Sequence, residues 1–93
     1  MPKIHLLSRF SKAYIKFAKD DKKRVAVVDK AFKLFEKDLE HPSLNLEKLR
    51  GSKTWTIRVD RGNRLFFEWS EKGDIAIFFF IGPHDSYRTF KKT

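Results

Sequence analysis

Arg58 and Arg64 flank a turn sequence, Arg61-Gly62-Asn63, and each sits in a segment where apolar and polar residues alternate. Guanidinium groups grip phosphate oxygens in a two-pronged fork and do not lose their charge at physiological pH. Two of them on neighbouring strands suit a phosphate or a phosphorane; the alternative is a cross-strand ion pair with Asp60 or Glu68. Downstream, His84 follows Gly82-Pro83. Imidazole is the side chain that ordinarily exchanges a proton near neutrality, so His84 is a candidate acid or base. Its alternative is a turn residue bonded to backbone. His5 in an alternating segment and His41 beside Pro42 read as structural. The three histidines lack metal-ligand spacing, so neither a metal nor a cofactor is expected. With no cysteine there is no thiol nucleophile, zinc knuckle or disulfide scaffold. No glycine-rich phosphate loop and no Ser/His/Asp order is present.

Charge points the same way as the arginines. Lys and Arg number 21 against 12 Asp and Glu, a net +9, which attracts polyanions such as nucleic acid, the ribosome, an acidic protein or an anionic membrane surface; the alternative is a surface kept soluble by excess charge. The excess is concentrated: Lys48, Arg50, Lys53, Arg58, Arg61 and Arg64 face a single acid, Asp60, within residues 48–64. The first forty residues mix eleven basic with six acidic side chains, as ordinary helix surfaces do.

The elements that must position these groups follow from periodicity. Ile4 and Leu6 alternate with Lys3 and His5, a short strand ending near Ser8. Phe10, Ala13, Tyr14, Phe17 and Ala18 form one helical stripe, capped by Ser8 or Ser11. Val25, Val28, Phe32, Phe35 and Leu39 form a second stripe, which Pro42 ends. Two such helices joined by the polar 19–23 segment make an antiparallel hairpin. A loop from His41 to about Lys53 follows. Trp55, Ile57 and Val59 then alternate with polar residues, as do Leu65, Phe67 and Trp69. A three-residue turn would set Val59 opposite Leu65, Ile57 opposite Phe67 and Trp55 opposite Trp69, and both arginines would leave the opposite face. Residues 75–81 are apolar on both faces, as in a central strand, after a turn at Lys72-Gly73. The expectation is one α+β domain over 1–93, in the order β-α-α-β-β-β, a small mostly antiparallel sheet packed against a two-helix hairpin. With 41% hydrophobic residues and ten phenylalanines the chain is too apolar for disorder. No apolar run approaches the ~20 residues of a membrane span and no leader precedes the domain, so a cytoplasmic, membrane-free protein is expected.

Lys48-Leu49 with Gly51, Ile57-Arg58-Val59 with Arg64-Leu65, and Gly82 followed by His84-Asp85 and Tyr87 occur in this order along the chain. The combination resembles the RelE/ParE superfamily of toxins from type II toxin-antitoxin systems. That resemblance implies a metal-independent endoribonuclease, an mRNA interferase that cuts messenger RNA on the ribosome and so inhibits translation. It makes Arg58, Arg64, His84 and Tyr87 the catalytic set, with Tyr87 better suited to stacking on a base than to proton transfer. It also implies that Lys48, Arg50, Lys53, Arg61 and Arg88 hold the RNA backbone, and that an acidic cognate antitoxin is the partner. Some relatives place a carboxylate base in the loop that holds Glu47, but the sequence does not align Glu47 to it. Two alternatives share the fold: a ParE-like inhibitor of DNA gyrase, and a catalytically inactive nucleic-acid or protein binding module.

Overall fold

The computed structural model describes residues 2–86. Strand β1 (Lys3–Leu6) leads into helices α1 (Ser8–Ala18) and α2 (Lys22–Lys37) and a 3-10 turn at Pro42–Leu44. Strands β2 (Glu47–Lys48), β3 (Trp55–Arg58), β4 (Asn63–Trp69) and β5 (Ile75–Pro83) follow, then a second 3-10 turn, His84–Ser86. They form one sheet in the order β1-β5-β4-β3-β2. Among the described residues only β1 and β5 run parallel, a pairing that requires the long crossover supplied by everything between them. The expected architecture is present, with β2 added inside the segment read as a loop.

The helix hairpin turns through two consecutive left-handed residues, Lys19 (φ 33°) and Asp20 (φ 66°). Asp21 then caps α2, its carboxylate accepting from the N–H groups of Lys23 and Arg24 at 2.9 and 3.2 Å. Arg24 closes the hairpin, donating to the Phe17 carbonyl at 2.8 Å with its guanidinium 4.4 Å from the centre of the Phe17 ring. The expected serine cap on α1 does not form: Leu7 holds the N-cap position and makes no side-chain cap. Its N–H still bonds Phe78, so strand passes directly into helix.

One face of the sheet carries the main core. Phe35, Ile57, Leu65, Phe67 and Phe78 are fully buried there, with Phe10, Phe17, Val28 and Ala31 from the helices. Phe67 and Phe78 lie 4.8 Å apart, and the Phe35 ring meets both edge-on at 5.3 and 5.4 Å. Val25 departs from its expected stripe, at 43% exposed. With Ile15 and with Leu6 of β1 it lines an open groove of about 460 Å³ between the helices.

The β3–β4 hairpin keeps the expected faces but not the expected register. Ile57 pairs with Leu65, Trp55 with Phe67 and Arg58 with Arg64, a slip of two residues. The Asp60 carboxylate accepts from the N–H groups of Gly62 and Asn63 and from the Asn63 amide, and the Val59 N–H meets the Asn63 carbonyl at 3.0 Å, so the turn closes one residue earlier than at 61–63. A slip of two preserves parity, so the core side chains stay inside.

Between β4 and β5 the register shifts at Phe66/Phe67: Phe66 faces Phe80 while Phe67 faces Phe78. Phe79 is therefore an extra residue, as in a bulge. Phe79 and Phe80 join Leu7, Leu49 and Phe66 in a small second apolar cluster.

Candidate active site

Residues directly opposed across an antiparallel ladder project to the same side. With Ile57 and Leu65 buried against the helices, Arg58 and Arg64 lie together on the other face, as parity requires. Gly82 completes their row on β5. A Cβ at Gly82 would lie 2.8 Å from the Phe80 ring and 3.2 Å from Ser86 Oγ. Any side chain there would have to displace that ring.

The next row holds Glu47, Thr56, Phe66 and Phe80. Strand β2 is thus what brings Glu47 to the arginine face. Its carboxylate Oε1 stands 3.6 Å from His84 Nε2, at the end of β5. Both side chains are a little under half exposed. This pairs an ionisable carboxylate with an imidazole at the rim of the face that carries Arg64.

Arg64 is partly buried and held from two sides. Its Nη1 donates to the Asn45 carbonyl at 3.3 Å and to Thr56 Oγ1 at 3.2 Å. Among the described residues neither Arg58 nor Arg64 forms an ion pair, and Asp60 is engaged in its own turn. The ion-pair alternative for the two arginines therefore lacks its partner.

The basic residues expected to hold RNA are spread over different places. Arg50 and Lys53 are exposed around the β2–β3 turn, which the Leu49 N–H closes on Thr54 at 2.8 Å. Arg61 is exposed at the β3–β4 turn. Lys48 pairs with Trp55, which packs against the helix-side core, so the register does not bring Lys48 to the face of Arg64. Tyr87 and Arg88 lie outside the described residues. His41 is structural as expected: its Nδ1 accepts from the Ser43 N–H at 3.1 Å. Among the described residues no group of three His, Asp or Glu side chains could hold a metal ion.

Glu47, Thr56 and Asn45 are the members that the sequence alone did not assign. A two-residue strand has no period to read, and Asn45 takes part through its backbone. Only the alternation of β3 offered a signal for Thr56, which shares the parity of Arg58.

No protein-family model and no curated protein matches this chain. Solved structures do. A copper-bound mutant toxin from Helicobacter pylori superposes with a TM-score of 0.73 at 18% identity, covering 92% of this chain and 98% of that one. A YoeB/ParE toxin from Agrobacterium tumefaciens gives 0.71 at 15% identity, covering 88% and 98%. The toxin-antitoxin complex of YoeB and YefM from Staphylococcus aureus gives 0.68 at 19% identity, covering 90% and 98%. Element order, sheet and near-complete coverage of both chains together show that this protein has the fold of the RelE/ParE-type toxins.

Proposed function

We propose that this chain is the toxin of a type II toxin-antitoxin pair and cleaves messenger RNA on the ribosome. The observation that carries the reading is the Glu47–His84 pair at 3.6 Å beside the sheet face that bears Arg64, on a fold shared with toxins. Cleavage without a metal uses the ribose 2′-hydroxyl as nucleophile on the adjacent phosphorus. An ionised carboxylate can only accept a proton, which gives Glu47 the task of taking it from the 2′-hydroxyl. His84 then protonates the departing 5′-oxygen. Arg64, with Arg58 beside it, stabilises the charge that grows on the phosphorane. The products are a 2′,3′-cyclic phosphate and a 5′-hydroxyl. Tyr87 would stack on a flanking base, and Arg50, Lys53, Arg61 and Arg88 would hold the backbone through charge alone.

The partner that restrains it is an acidic antitoxin, in keeping with the net +9 and with the antitoxin complex on the same fold. Among the described residues no helix is long and apolar enough to cross a membrane. The site of action would be the cytoplasm, where the ribosomes are.

The test is incubation of the purified chain with programmed ribosomes, reading transcript ends by primer extension. Cuts within the coding region that end in 2′,3′-cyclic phosphate are expected. Intact transcripts with trapped gyrase–DNA complexes would replace this reading with the gyrase inhibitor, and neither outcome would leave a binding module.

A further inference from the structure

A long arginine side chain is a poor catalytic cation unless something holds it. Arg64 Nη1 carries two hydrogens and has two protein acceptors, the Asn45 carbonyl and Thr56 Oγ1. Among the described residues Nε–H and Nη2 have no acceptor, and together they form the edge that presents two parallel N–H groups to a phosphate.

We propose that Thr56 and the Asn45 carbonyl are positioning groups that fix the Nε–Nη2 edge of Arg64 toward the scissile phosphate; this rests on the reading of Arg64 as the phosphorane cation. Both acceptors are themselves fixed. Thr56 is fully buried, β-branched and so restricted at χ1, and sits on β3 between Glu47 and Phe66. Asn45 ends the 3-10 turn in the left-handed region (φ 45°, ψ 53°), its N–H bonded to Pro42. Because Thr56 lies directly across from Glu47, one strand position sets the spacing between the base and the cation. A buried threonine on the outer face, which packing alone would fill with valine, gains its reason from that hydroxyl.

The test is Thr56→Val, which removes the hydroxyl at nearly constant volume. On programmed ribosomes kcat falls about ten- to hundredfold, the scale of a catalytic group displaced by an ångström, while KM stays within about twofold. Thr56→Ser returns the hydroxyl and restores most of the rate. In an Arg64→Ala background Thr56→Val has no further effect, since the group it positions is gone. Unchanged kcat in Thr56→Val, or an equal fall in both backgrounds, overturns the proposal. A readout independent of cleavage is the ¹⁵N spectrum of the Arg64 guanidinium in the full chain. Separate, slowly exchanging Nη signals are expected in wild type and Thr56→Ser, and averaged ones in Thr56→Val. If wild-type protein does not cleave, the nuclease reading fails by itself. An RNA oligonucleotide blocked by 2′-deoxy substitution then decides the positioning: a shift of Arg64 Nε–H that is lost in Thr56→Val supports it, and no shift, or the same shift in both proteins, overturns it.

Discussion

The two faces of the same sheet are built by different rules. On the helix side strands β3, β4 and β5 contribute apolar side chains, and Phe35, Ile57, Leu65, Phe67 and Phe78 are shut off from solvent. On the outer side β3 and β4 alternate between a small apolar cluster around Phe66 and polar groups, Thr56 and Arg64, that bond to one another. The first face has no polar function to satisfy and is free to pack densely. The second keeps a guanidinium partly buried on two acceptors and carries a carboxylate paired with an imidazole, the kind of supported polar arrangement that the proposed chemistry needs. Stability and activity should therefore separate by face.

The sharpest way to break that division is at the proposed acid–base pair. Glu47→Gln and His84→Ala should each lower cleavage by about 10²–10⁴-fold, the usual range for a positioned general base or acid. Both side chains are nearly half exposed, so folding should change little. Single-turnover cleavage and thermal melts on the same samples check this. On the opposite face, Phe67→Ala should cost ~3–5 kcal/mol of folding free energy, the scale for emptying a fully buried aromatic site. Urea denaturation measures it, and a loss below about 1 kcal/mol would mean the helix-side core is not what holds the fold. A smaller effect belongs to the hairpin joint. Asp21→Ala removes the acceptor for two backbone N–H groups and should cost about 0.5–2 kcal/mol with no change in cleavage.

The same contrast explains what could be read from the chain. Periodicity names the helix-side residues because a buried face repeats its apolar positions at the period of its element. Ile57, Leu65, Phe35 and the alternation that sends Arg58 and Arg64 outward were legible for that reason. The register of their hairpin was not. It depends on which N–H groups the Asp60 carboxylate accepts from, a local competition that leaves parity untouched and so leaves no mark in the hydrophobic pattern. The doubled Phe79-Phe80 on one side is hidden likewise, since a bulge breaks the period that would report it. Val25 fits its stripe by spacing but lines an open groove and stays 43% exposed. On the outer face Glu47 was the greatest loss. Its two-residue strand gives no pattern, and only pairing with Thr56 brings it near His84.

The division between faces stands or falls on Arg64, the residue where the two demands meet. The decisive measurement is Arg64→Ala assayed twice on one preparation, for cleavage on programmed ribosomes and for unfolding free energy. Loss of a preorganised cation should slow cleavage by about a hundred- to a thousandfold, on the scale of an oxyanion-hole donor. Loss of its two hydrogen bonds should cost folding about 1–3 kcal/mol, at ~0.5–1.5 kcal/mol for each in this half-exposed setting. Arg64→Lys keeps the charge without the fork and should recover stability more fully than rate. Normal cleavage by a protein that melts several degrees lower would contradict the assignment and make Arg64 a structural brace.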